Sequence, residues 1–344
     1  MMQVMFSRRE LLLAAAAYPV VRLPKRVRVA IAGTDGHIEL VTDPLPSLPD
    51  VEIVGYSAPA PHHRLAPYRH YPEFRLMLDR ERPDVVAVTT HDGDRAATII
   101  EALERGHAVF AEKPLGRTRA ELEQLQMVVR RRQGRLGLML DSRFQPPFRA
   151  LREVVRSGKL GEVAQIAGQK SYKAGADSRW KNEASSYSGT IPWVGIHMLD
   201  LMLYTSGRRF VECCSFQNRI AFPELGVREN TAAVLFRLDN GGVATLTIDY
   251  LRPSRAPTHG DDRLRLAGTL GVAEYQAASG VTLITEAEGP QPVPLPPPLS
   301  SFADFLNHVF NGAETLLPLE DIWMANSVAL AVRDAANSRT VIRL

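Results

Sequence analysis

From Val27 onward the chain alternates short apolar runs with helix-spaced segments, and that alternation sets the fold class before any motif is read. Val27 to Gly33 is an apolar run ending in glycine, the pattern of a buried parallel strand entering a turn. Val51–Tyr56 and Asp84–Thr89 repeat it. Arg95–Arg105 carries apolar residues at helical spacing and stops at Gly106, after which Ala108–Ala111 predicts a fourth strand. A helix over Arg119–Arg132 and a fifth strand over Leu136–Leu140 complete the series. Strands alternating with helices of this length specify a doubly wound parallel α/β sheet with right-handed crossovers, assigned to residues 25–142.

Beyond Val163 the pattern changes to successive strands with few helices: Val163–Gln169, Phe210–Asn218, Ala232–Leu238, Val243–Tyr250 and Leu264–Leu266. Asp239-Asn240-Gly241-Gly242 is a hairpin signal between two of them. Residues 143–344 therefore read as an α+β domain with a large, mainly antiparallel open sheet. Pro290–Pro298 is an extended connector to closing helices over Phe302–Phe310 and Leu319–Ser338. The loop Gly175–Ser188, with Arg179, Trp180, Lys181 and Tyr187, is a candidate substrate lid. His259-Gly260-Asp261-Asp262-Arg263 reads as a polar turn bounding a strand, with a reach into the pocket as the other possibility.

Ahead of both domains, Ser7-Arg8-Arg9-Glu10 precedes Leu11–Leu13, then Ala14–Ala17 and Tyr18-Pro19. A charged patch, a short apolar run and small residues have the layout of an export signal, and the arginine pair that of the twin-arginine type. Residues 1–24 are assigned to it, which makes the mature protein periplasmic and soluble. The apolar run is too short to span a bilayer, so no membrane partner is expected.

Charge adds exclusions. Formal net charge is +3, from 41 basic and 38 acidic residues, and no basic run is interleaved with aromatics, so nucleic acid is not expected as a partner. Arg130–Arg132 closes a predicted helix, where cations suit the negative end of the dipole. The two cysteines, Cys213 and Cys214, are adjacent and make neither a disulfide framework nor a thiolate site; no metal is expected.

In a doubly wound sheet the ligand lies beyond the carboxyl ends of the strands. The first such end is Gly33-Thr34-Asp35-Gly36-His37-Ile38. A dinucleotide fingerprint would put glycines at 33, 35 and 38; only Gly33 fits, with Gly36 shifted by one. Gly33 still permits a tight turn, Gly36 close backbone approach, and the following helix is expected to offer free N–H groups to a pyrophosphate, with Asp35 as its cap. The second strand ends in Tyr56-Ser57 instead of a carboxylate, with His62, His63 and Arg64 beyond. Nothing there repels a 2′-phosphate and Arg64 can accept one, so the reading is NAD or NADP with a lean to NADP; a solvated basic loop competes.

Glu112-Lys113-Pro114 closes the fourth strand, 80 residues after Gly33. At that place the tripeptide resembles the Gfo/Idh/MocA family of glucose–fructose oxidoreductase and inositol 2-dehydrogenase. Thr90-His91-Asp92, Asp141-Ser142-Arg143-Phe144, Ser157 to Val163 and Gly189 to Asp200 are similar to further segments of that family. The resemblance implies a homo-oligomer, a dimer or tetramer, acting on a carbohydrate-like substrate. It implies that Lys113 lies near the nicotinamide and the reacting hydroxyl, and that His197 is the general base, oriented by Asp200 three residues on. Thr90, His91 and Glu112 fall on the nicotinamide side, Arg143 and Trp180 on the substrate side. One departure stands out: Trp193 occupies the place of the family's usual aspartate. Indole cannot ionise, but it can stack on a sugar ring, and His91 can supply a second titrating group. Three readings follow: an NAD(P)-dependent oxidoreductase of a sugar or cyclitol, an NAD-dependent glycoside hydrolase acting through transient oxidation, or a sugar-binding protein that keeps the fold without turnover.

Overall fold

The computed structural model describes residues 18–175 and 179–344. The arginine pair and apolar run of the expected export signal lie outside the described residues. Tyr18–Pro24 does not stand apart: Val21 donates its N–H to Ser47 and Leu23 is buried. No helix among the described residues is long and apolar enough to cross a membrane.

The first sheet is parallel throughout. Its strands are β1 (Val27–Ala32), β2 (Val51–Ser57), β3 (His70–Tyr71), β4 (Val85–Val88), β5 (Ala108–Ala111) and β6 (Leu136–Leu138), in the spatial order β3-β2-β1-β4-β5-β6. The order reverses between β1 and β4, which opens a crevice at their carboxyl ends. All four residues of β4 and of β5 are buried, as strands covered on both faces must be. β3 and the helix Phe74–Glu81 were not read from the sequence: two residues are too few to show a period, and the helix carries only two buried side chains.

Two features depart from the expected domain. The first crossover helix, Glu39–Thr42, is a single turn, because Pro44, Pro46 and Pro49 follow at once and proline cannot continue the ladder. The helix Ser301–Asn311, assigned by sequence to the second domain, packs instead on the first sheet. The Phe302 and Phe305 ring centres lie 5.2 and 5.3 Å from that of Phe110, and Gly137 is bare where a Cβ would strike Phe305.

The second sheet is mixed and mostly antiparallel. Its nine strands run in the order Gln291–Pro292, Gly280–Thr285, Gly271–Gln276, Gly260–Gly268, Val163–Lys173, Val243–Arg252, Thr231–Leu238, Phe210–Asn218, Ile342–Arg343. Val163–Lys173 and Val243–Arg252 form its parallel pair. The hairpin at Asp239–Gly242 is present, with Gly241 at φ +86°. Helices Pro146–Arg156, Ile196–Ser206 and Leu319–Ser338 supply apolar faces to the same core as the buried half of this sheet. The alternate residues, Phe216, Leu235 and Val243 among them, are exposed on the other face.

Candidate active site

The ends of β1, β4 and β5 are locked together by backbone geometry. Gly33 leaves β1 with φ +86°, and a Cβ there would come within 2.6 Å of the Thr90 backbone, so only glycine fits. It donates its N–H to Ser57 at the buried end of β2, while Asp35 and Gly36 both donate to Thr89. Gly36 is bare for a reason other than the one expected. A Cβ on it would meet the Glu112 side chain at 2.8 Å, so it makes room for a carboxylate of this chain.

Glu112 is fully buried and accepts the His37 N–H at 3.0 Å and the Lys113 N–H at 3.1 Å, with His37 Nδ1 at 2.7 Å. Burial alone would raise its pKa; the charges of His37 and Lys113 and the His37 hydrogen bond outweigh that and hold it well below the usual range. Two expectations are corrected here. The helix meant to offer free N–H groups is one turn long, and the His37 N–H already belongs to Glu112. Asp35 does not cap that helix, whose first residue has no side-chain cap; its carboxylate takes the His91 N–H across the crevice.

His91 is a helix cap. Its Nδ1 accepts the Gly93 N–H at 3.1 Å and its Nε2 lies 3.1 Å from Asp94, so both ring nitrogens are engaged within the first turn of that helix. The neighbouring Thr90 hydroxyl is buried without a protein partner. One turn into the same helix, Arg95 is wholly buried and donates to Asp92 at 2.7 Å, to the carbonyls of Lys113 and Pro114 at 2.9 Å each, and to that of Thr90. The Lys113–Pro114 bond it grips is cis. Asp92 in turn accepts the Ser188 N–H at 2.9 Å, so this ion pair ties the ends of β4 and β5 to the second domain. Sequence reading missed it, since an acidic and a basic residue three apart in a first turn look like a surface pair.

Lys113 is buried, donates to the Trp193 carbonyl at 2.9 Å and lies 3.5 Å from Glu112. Burial lowers its pKa from 10.5 to about 8, against the opposing pull of Glu112 and Asp92. Its ammonium stands 3.5 Å over the centre of the Trp193 ring. The indole therefore covers the Lys113 ammonium while also lining the cleft. Trp180, expected on the substrate side, meets it edge-on at 5.0 Å and 86°, seating the predicted lid loop.

A π turn, Ile191–Gly195, runs into the helix Ile196–Ser206 and places His197 in its first turn. His197 and Lys113 line the same cleft, of about 220 Å³, together with His37 and Trp193. Burial, followed by the positive charges of Lys113, Lys170 and His37, pushes the His197 pKa well below 6.5, so the imidazole is neutral; its Nδ1 has no hydrogen-bond partner. An ammonium beside a neutral imidazole can stabilise negative charge on an oxygen and take a proton.

The other assigned residues separate. Asp200 does not orient His197: both its oxygens are held by the buried Arg143, with the Nε contact at 3.0 Å. Arg143 also donates to Asp321 at 2.8 Å and to the Leu316 carbonyl at 2.7 Å, so it is a tie beneath the helix and not a substrate contact. Arg64 pairs with Asp43 at 3.0 Å on a surface turn past β2. Conversely, Tyr172, Lys173, Tyr250 and His259 line the cleft and were not assigned; the reading of His259 as a mere strand boundary is corrected. Each sits at or near the end of a strand, where period-2 alternation no longer tells which way a side chain points. Among the described residues no group of His, Cys, Asp or Glu is placed to hold a metal ion.

Comparison with known proteins places this geometry. Residues 27–139 match the model of the oxidoreductase family with an NAD-binding Rossmann fold, and residues 148–274 match the GFO/IDH/MocA C-terminal domain. A solved Thermotoga maritima structure assigned as an oxidoreductase is 30% identical, superposes with a TM-score of 0.86, and the match covers 92% of this chain and 100% of that one. The dehydrogenase AclE of Aspergillus oryzae is 26% identical over 54% of this chain and 56% of its own length. D-glucoside 3-dehydrogenase of Escherichia coli is 28% identical over 45% of this chain and 44% of its own. The chain thus spans about half the length of the curated relatives it matches. It belongs to the Gfo/Idh/MocA oxidoreductases, a family built on an NAD-binding Rossmann fold.

Proposed function

We propose that the protein oxidises a hydroxyl of a sugar or cyclitol with a tightly held NAD or NADP. The observation that carries this reading is the buried ammonium of Lys113 and the neutral imidazole of His197 in one cleft at the carboxyl ends of the first sheet. The residues present fit a nicotinamide nucleotide: Gly33, Thr34 and Ser57 lie at the strand ends, and the buried Thr90 hydroxyl lacks a protein partner. When bound, the nicotinamide supplies the hydride acceptor. Lys113 holds the reacting oxygen and stabilises the charge that grows on it. His197 takes the hydroxyl proton on a ring nitrogen. Trp193 and the Asp92–Arg95 pair keep Lys113 in place and shield it from water. The absence of a carboxylate after β2 supports NADP over NAD, and the exposed Arg64–Asp43 pair is weak enough to exchange for a phosphate.

Export of the folded protein with its nucleotide belongs to the same proposal and rests on Ser7–Tyr18. An oligomer formed through the exposed face of the second sheet belongs to it as well. Denaturing the purified protein and measuring the absorbance of released nucleotide tests the reading. Bound nucleotide that changes redox state with a polyol panel supports it, and none under any condition favours the sugar-binding alternative. Release of an aglycone with no net redox change points to glycoside cleavage. Lys113→Ala and His197→Ala should each lower kcat/KM at least about a hundredfold in protein that circular dichroism shows to be folded; wild-type rates in both remove the assignment.

A further inference from the structure

We infer that the substrate carries a negative charge, as a carboxylate or a phosphate on its ring. The inference rests on the oxidoreductase reading and deepens it. The cleft brings together Lys113, Lys173, His37, His197 and His259, and none of its described lining residues is Asp or Glu. Lys181 and Arg228 also line it but have partners of their own, so the case is made without them.

Lys173 is the informative side chain. It is partly buried, and its ammonium donates to the Ala256 carbonyl at 2.5 Å, an acceptor that fixes the cation without neutralising it. Lys113 has Glu112 behind it, but that one carboxylate also serves His37. Just beneath the cleft, Lys170 is paired with Asp262. The accumulated positive charge is felt inside the site, since Lys113, Lys170 and His37 all act to keep a proton off His197.

A neutral polyol offers hydroxyl hydrogens as well as oxygens, and carboxylates are the usual acceptors for them. The described lining is weighted towards donors, with ammonium groups and an indole N–H, and its side-chain acceptors are neutral ones, imidazole nitrogens and the phenols of Tyr172 and Tyr250. Trp193 gives the cleft an indole, which cannot ionise and cannot serve as an acid. An anion bound to Lys173 would form a charge-assisted hydrogen bond of the stronger kind.

The test uses the intact protein with its bound nucleotide and matched series of gluco, galacto and inositol compounds. Each series has a neutral member, a carboxylate and a monophosphate. Within at least one series a charged member should exceed the neutral one at least about tenfold in kcat/KM, and should raise the unfolding temperature where the neutral member does not. The two charged arms tell carboxylate from phosphate. Lys173→Gln should lower the charged-to-neutral ratio about tenfold. Turnover with no preference for charge, or a ratio unmoved by Lys173→Gln, overturns the inference while leaving the oxidoreductase reading intact. Charge-selective binding without turnover does the reverse.

Discussion

Lys113 sits where an ammonium is hard to keep charged, and the surroundings show how the chain manages it. With no carboxylate at position 193, the cation is held by a carbonyl, an indole face and one carboxylate shared with His37. That arrangement retains the charge but leaves the pKa near 8, inside the range where activity is measured. The rate should follow. If Lys113 must be protonated, kcat/KM holds up to about pH 8 and falls about tenfold per unit above it, as the proton is lost from the free enzyme. If His197 must be neutral, its limb lies on the acid side, below pH 6.5, because its pKa is lowered. A pH–rate profile with no alkaline limb near 8 removes Lys113 from the chemistry. His37→Ala frees Glu112 from its second partner and strengthens its hold on Lys113, so the alkaline limb should move to higher pH.

At the scale of elements, the Arg143–Asp200–Asp321 tie shows what one chain of letters conceals. His197 and Asp200 share a helix face by spacing, and the sequence suggested that they act together. The helix Ile196–Ser206 is instead gripped from below by the turn Asp141–Phe144, and a guanidinium with rigid bidentate geometry outcompetes an imidazole for the carboxylate. Asp200→Ala should therefore cost about 3 kcal/mol in urea unfolding, while the pH–rate profile keeps its shape. The double variant Arg143→Met, Asp200→Leu should lose less than that single one, because no buried charge is left unpaired. The parallel strands and the hairpin at Gly241 could be read from local pattern, since each is written in consecutive residues; that Lys113 and His197 share a cleft was implied only by the family resemblance. The Asp92–Arg95 tie and the cleft-lining Tyr172 and Lys173 could not, because their roles depend on partners far along the chain. The short first crossover is written in the prolines at 44, 46 and 49, which leave no room for a second helical turn.

At the scale of the molecule, the second sheet has one face packed against helices and one bearing Phe216, Leu235 and Val243 in the open. A second copy covering that face accounts for the apolar residues, so Leu235→Glu with Phe216→Glu should reduce the mass seen by light scattering to that of one chain. A monomeric wild type would dismiss the idea. The helix Ser301–Asn311 carries a different lesson. Covalently it comes near the end, yet its phenylalanines close the floor of the nucleotide half, against Phe110. A cut after residue 142 would strip that floor and leave an oily wound, so neither half should fold well when expressed alone: the last eighth of the polypeptide finishes what the first third began.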